Sequence, residues 1–498
     1  GWGSTMWSYS SRAPDPEIVG ETWKQIWIQR LKDEPFLPLK WLAHQNRDSY
    51  WKHGSVCENY KAIKAATLAI GGWGDAYKNA VSSLVENLSC PVKGIVGPWV
   101  HKYPHFAVPE PRIGFLQEAL RWWDHWLKGL DRGVENDAEY KAYLMDGVRP
   151  QTWYNHREGH WIIENDWPEN IANSTWQFRA DGVLSNLIEK QSALGIKVSS
   201  PQDCGIESGE YCAIWLGAEM PGDQQIDDAK SVYFTSLVLS EKLDIVGSPN
   251  IRLSISSDKP AAQIAVRLNH IHPDGASTRI TYGVFNLAHR NGFDMATPMS
   301  PGEVFDVDFS LDQVAYRVPA GHKIRVSISS SYWPLIWPSP EAACLTLEGG
   351  SIDVPLRPSG MSDECNFQSP ETDSPWQTQE IRPPSNSRKA IKDMKTGITT
   401  IEVIDDFGSV RDCQHDLVSG SIAREWWSIH PDDPLSAEAR THWSTENSRG
   451  EWSVRTETYA KMTSDKKMFF LEARLEAYEG DNLVFEKEII DSVPRDNR

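Results

Sequence analysis

A chain of 498 residues exceeds the roughly 250–300 at which a single core stops growing, so two or three domains are expected. Its 40% hydrophobic and 24% charged residues are those of a globular protein, and no apolar run approaches the roughly 18 residues that span a bilayer. With 50 basic against 69 acidic residues the net charge is −19, which repels phosphate backbones and anionic lipid, so neither nucleic acid nor membrane is an expected partner.

The opening GWGSTM has no initiator Met, basic stretch or apolar stretch, and reads as an interior segment. Asp15 is placed to cap a helix with Pro16 at its first position, and Val19, Trp23, Ile26 and Leu31 continue at helical spacing until Pro35. A second helical stretch is expected over 39–50. Residues 1–60 therefore form a helical segment.

AATLAIGG at 65–72 is a short apolar run stopped by glycines, as a strand buried on both faces of a parallel sheet reads. A helix over 76–88 and a second buried strand, VKGIVGPW at 92–99, complete a βαβ unit. The helix over 112–130 places Leu116, Leu120, Trp123 and Leu127 on one face, which is expected to pack on the sheet. From 140 to 360 short alternating runs such as IRLSISS, RITYGVF and KIRVSISS predict an all-β sandwich or jelly roll. The polar stretch 361–394 reads as a linker or long loop, and 395–498 as a β-rich extension.

Seven cysteines without a CxxC pair indicate neither a zinc site nor a full disulfide framework. Cys204 and Cys212 read as free thiols, and a reducing, cytoplasmic compartment is expected. The acidic pairs Asp227/Asp228 and Asp432/Asp433 read as exposed turns; no metal and no cofactor is implied. The 23 tryptophans suit packing first and apolar-gripping clefts second.

The chemistry-bearing positions are the two strand ends. GGWGDAY puts Asp75 just beyond the carboxyl end of the first parallel strand, and GPWVH puts His101 at the same edge one strand over. A carboxylate and an imidazole brought within hydrogen-bond reach there form the acid and base of a catalytic triad, in the order in which α/β-hydrolases carry them. From spacing alone a capping Asp and a surface His are equally good readings.

GGWGDAY and GPWVHKYPHF, followed by LQEALRWWDHWLKG, resemble the late segment of the CocE/NonD hydrolases, which include cocaine esterase, α-amino acid ester hydrolases and X-prolyl dipeptidyl aminopeptidases. The helical pair before residue 60 resembles that family's cap, and 140–360, with PAGHKIRVSISSSYWPLIWPSPE, its jelly roll. The resemblance implies a partial parallel α/β-hydrolase sheet (61–135) with a helical cap, a jelly-roll β-sandwich and a β-rich extension. It also implies Asp75 as triad acid and His101 as general base, acting on a small ester, amide or short Xaa-Pro peptide. Trp73, Trp99 and His105 are secondary pocket candidates.

A nucleophile elbow, G-x-S-x-G or G-x-S-x-x-G, occurs nowhere in the sequence, so the Ser and oxyanion hole are expected on a missing N-terminal hydrolase segment. The chain alone is accordingly expected to be inactive. Two rivals remain: a carbohydrate- or ligand-binding β-sandwich with an inert α/β remnant, and a structural role in which the Trp-rich β region builds a homo-oligomer.

Overall fold

The computed structural model describes residues 1–498 except 188–192, 215–216, 359, 361–362, 364 and 497–498. The N-terminal helices are α1 (Trp2–Ser10), α2 (Pro16–Val19), α3 (Trp23–Asp33), α4 (Leu37–Ala43) and α5 (Ser49–Lys52). Asp15 accepts the Glu17 N–H and Pro16 sits in the first turn, as the capping pattern requires. Gly20, at φ 69°, then separates α2 from α3.

Strands β1 (Thr67–Gly72) and β2 (Val92–Gly97) pair in parallel from Thr67↔Val92 to Gly72↔Gly97, joined by α6 (Lys78–Asn87). α6 lays Val81 and Val85 on the sheet, and Gly94 permits that approach, since a Cβ there would stand 2.6 Å from Val85. Helix α7 (Phe115–Lys128) follows, ended by Gly129 in the left-handed region. β3 (Tyr140–Asp146) then pairs in parallel with β2 and also with the strand Val314–Val318. The parallel strands thus run without a break into the β-rich region, as one 16-stranded sheet. β1 ends that sheet, and among the described residues no strand pairs with its other edge.

The expected packing face of α7 is corrected. Leu116, Leu120, Trp123 and Leu127 are 46–79% exposed, whereas Ala119, Trp122 and Asp124 are buried. The polar side chains of that buried side are paired: Arg121 bridges Glu118 and Asp137, and Asp124 holds Lys128 and Arg132, both at 2.7 Å.

Between 172 and 356 strands that pair antiparallel, save Val183–Ser185 against Val232–Ser236, enclose a core that includes Phe178 and Phe234, whose rings stack 4.5 Å apart. Asp227 and Asp228 are not the exposed turn their sequence suggests. They are buried in a short helix, Gln225–Asp228, where Asp227 accepts the Gly205 and Glu207 N–H groups. Asp228 accepts from Asn269, Ser277, Arg325 and Ser327 at 2.7–3.1 Å. These donors lie 40–100 residues away in sequence, which is why local polarity misleads.

Residues 378–382 and 385–392, inside the stretch expected as a linker or loop, form strands Thr378–Arg382 and Ser385–Lys392, both paired with Thr399–Asp412. Residues 361–362 and 364 of that stretch lie outside the described residues. Beyond it a meander of long strands reaches Asn482–Pro494 and forms an 8-stranded antiparallel sheet. Strict alternation sets its inner face: Phe469, Leu471, Ala473, Leu475 and Ala477 are all buried. Onto that face the N-terminal segment lays Trp7, Trp27, Leu31 and Phe36. Arg449 clamps Asp15 through two hydrogen bonds of 2.7 and 2.9 Å. No described helix is long and apolar enough to cross a membrane.

Candidate active site

The two strand ends interlock before any functional group is placed. The Trp73 N–H donates to the Gly97 carbonyl and the Gly74 N–H to the Trp99 carbonyl, each at 2.9 Å. A Cβ on Gly72 would lie 2.2 Å from that Trp99 oxygen, so only glycine lets the loops meet. Trp99 is buried, its Nε1 on the Pro111 carbonyl, and Trp73 donates to the Tyr143 carbonyl. Both indoles wedge the sheet end, and Trp73 also borders a neighbouring cleft.

On this support Asp75 and His101 meet. The Asp75 Oδ2 lies 2.8 Å from His101 Nδ1, while Oδ1 accepts the Tyr77 N–H at 2.8 Å. A carboxylate opposite Nδ1 selects the tautomer protonated there, leaving Nε2 with its lone pair outward. The carboxylate is sheltered, with 13% of its side chain exposed, and the imidazole is 43% exposed, so the base is open to a reacting group. Tyr77 packs its ring 5.6 Å from the imidazole.

His105 is not brought to this pair. It stacks on Phe115 at 5.7 Å, and burial pushes its imidazole below the ordinary range.

What sequence reading missed is the loop that closes over the dyad from the β-rich region. The Ala213 carbonyl accepts the His101 N–H at 2.9 Å. The Cys212 thiol, Asp75 and His101 offer polar atoms within 4.8 Å of one another. Burial raises the Cys212 pKa, and the Asp75 charge adds to this, so it stands as a thiol. All seven cysteines are free. The loop is pinned from the other side by Arg388, which pairs with Glu210, and at 3.3 Å with Glu219 and Asp405. Between loop and strand ends lies a cleft open to solvent, bounded by Trp73, Lys78, Tyr211, Tyr282 and Tyr316. No local pattern marks Cys212 or Glu210, since both reach the site from more than a hundred residues downstream.

The family model for the X-Pro dipeptidyl-peptidase (S15 family) matches residues 1–103, and that for the X-Pro dipeptidyl-peptidase C-terminal non-catalytic domain matches 132–378. Cocaine esterase from Rhodococcus sp. is 23% identical over 340 residues, covering 62% of this chain and 57% of that protein. The Xaa-Pro dipeptidyl-peptidase of Lactobacillus delbrueckii subsp. lactis is 20% identical over 337 residues, covering 58% and 40%. The chain spans about half the length of the curated relatives it matches.

Among solved structures, an aminopeptidase from a marine sediment Thaumarchaeota archaeon superposes with a TM-score of 0.52 at 19% identity, covering 67% of this chain and 62% of that one. An α-amino acid ester hydrolase gives 0.51 at 16% identity, covering 66% and 61%. A CocE/NonD family hydrolase from Staphylococcus aureus gives 0.51 at 13% identity, covering 71% and 65%. At these identities the likeness is one of fold: an α/β-hydrolase domain followed by a β-rich domain. Two successive family models in the order of the S15 peptidases, on that shared fold, establish that the chain belongs to the CocE/NonD family of serine hydrolases.

Proposed function

We propose that this chain supplies the acid and base of an acyl-transfer site that cleaves esters or amides, Xaa-Pro peptides among them, through an acyl-serine. The observation that carries the reading is the 2.8 Å contact between Asp75 and the Nδ1 of a His101 whose backbone is itself held. In this scheme His101 Nε2 takes the serine proton as the hydroxyl attacks and returns it to the leaving group, while Asp75 keeps the ring in register and stabilises the imidazolium.

The serine comes from a segment outside these 498 residues. The unpaired edge of β1 and the exposed apolar face of α7 support such a segment, since an open strand edge and a bare helix stripe are what a further strand layer covers. The 140–360 region is read as the family's jelly roll, and the free thiols favour a cytoplasmic setting. What favours this reading over a ligand-binding module with an inert remnant is the placement of the pair beyond the carboxyl ends of two neighbouring parallel strands.

The test is p-nitrophenyl acetate hydrolysis. The 498-residue chain should show no turnover above background. In a polypeptide that also carries the serine elbow, His101→Ala should lower kcat by about 10³–10⁶-fold, and Asp75→Asn by about 10⁴-fold through the wrong tautomer. Turnover by the 498-residue chain that vanishes with His101→Ala overturns the proposal.

A further inference from the structure

Three histidines far from the dyad in sequence converge in the β-rich region. His270 stands one residue before the end of the strand Gln263–Ile271, and His272 two residues on, so strand alternation points both the same way; their rings stack at 4.0 Å. His322 arrives from the turn before the strand Lys323–Ser329, which pairs antiparallel with Gln263–Ile271 in the register Ile271↔Lys323. Its ring lies 4.7 Å from that of His270 and 5.3 Å from that of His272. One ring nitrogen from each of the three falls within 4.8 Å of the others. His270 and His272 are buried, and His322 opens partly to solvent.

The outer nitrogens are held. Thr278 Oγ1 spends its one proton on the Val148 carbonyl at 2.8 Å, so at 2.9 Å it accepts from His272 Nε2, and His272 Nδ1 carries a lone pair. His270 Nδ1 lies 2.9 Å from the Tyr316 hydroxyl, which accepts its proton when Nε2 presents a lone pair. That Nε2 faces His322 Nδ1 at 2.6 Å, a contact that holds together only with a positive centre between the two nitrogens, either a proton or a metal. With Nε2–H on His322, all three neutral imidazoles present lone pairs inward at once. Tyr316 and Thr278 are the hydroxyl partners that fix a ligating imidazole's tautomer and angle. The nearest formal charges offset one another: Arg149 beside His272 is paired with Asp274, and Asp223 also faces His272.

We propose that His270, His272 and His322 form a three-imidazole site for a borderline divalent cation, zinc in class, with a solvent molecule completing the tetrahedron at the His322 side. The donor set argues the class, because nitrogen-only ligation suits zinc, cobalt or copper and is foreign to magnesium and calcium, which take oxygen. To reach about 3.3 Å, the nitrogen separation of tetrahedral zinc, the 2.6 Å contact has to open, while the His272 nitrogen starts within 4.8 Å of the other two. The proton of that contact moves to His322 Nε2 through solvent, so binding releases no net proton.

The site is independent of the hydrolase reading. Metal-stripped 498-residue chain, titrated with zinc sulfate and with cobalt(II), should take up one equivalent that is lost in His322→Ala and in His272→Ala. The cobalt form should show tetrahedral d–d absorption without a thiolate charge-transfer band. Tyr316→Phe should weaken zinc binding by about 10–100-fold. His322 sits on a partly exposed turn, so its variant is the one expected to keep the native circular dichroism. Cys212→Ser, which removes the other close group of metal-ligating side chains, should leave binding unchanged. Absence of stoichiometric zinc uptake, uptake that survives His322→Ala, or uptake abolished by Cys212→Ser overturns the site.

Discussion

Glu34 shows how a single carboxyl can report on the packing of the N-terminal segment. It follows α3, and its carbonyl accepts Lys487 Nζ at 2.7 Å from the last strand. Its Oε2 is buried without a hydrogen-bond partner among the described residues. Burial pushes its pKa up to about 7, with Ser10, Arg30 and Lys487 pulling the other way. Because the folded value exceeds the unfolded one, the native state holds the extra proton between 4.5 and about 7. Stability from this group is therefore greatest below that window and declines as pH rises through it. Glu34→Gln should raise Tm by roughly 2 °C at about pH 8 and leave it unchanged near pH 4; equal gains at both would exclude the burial account. At this scale the meeting of Asp75 and His101 was legible, because glycine-ended parallel strands fix where the next loop emerges. It hid Cys212, Glu210 and the buried Asp227/Asp228 pair, whose surroundings are assembled from distant strands.

The helices and strands themselves were largely legible, since caps, glycine stops and apolar runs are local. Their orientation was not. The apolar stripe of α7 is the stronger hydrophobic signal, yet the helix buries Ala119 and Trp122 and leaves that stripe exposed. Likewise nothing local in α1 or α3 says which surface they cover. Trp27 is fully buried, with Nε1 donating to the Ser11 carbonyl at 2.8 Å, at the centre of the contact with the C-terminal sheet. Trp27→Ala should cost about 3–5 kcal/mol in urea unfolding. A loss below about 1 kcal/mol would mean that the helices are held elsewhere.

Across the whole molecule, Arg388 joins the C-terminal sheet to the loop over the dyad. It is 12% exposed, and its partners Glu219 and Asp405 are 1% and 5% exposed. Arg388→Met would leave those carboxylates buried without their cation, at a cost of about 3–5 kcal/mol. Adding Glu219→Gln should return part of that loss, and calorimetry of the two variants distinguishes charge burial from lost packing. The passage from helical to β-rich text along the chain was readable from changes in residue pattern. The continuity of β3 with both regions was not, because register across a parallel junction leaves no mark in either strand alone.

The contact between the first helices and the last sheet also sets an order of events during synthesis. Ser11 and its partner Thr456 are 445 residues apart. With translation at about 5–20 residues per second, the helices leave the ribosome roughly 20–90 s before the surface they cover exists. For that interval Trp7, Trp27, Leu31 and Phe36 lack the sheet face that buries them in the folded chain.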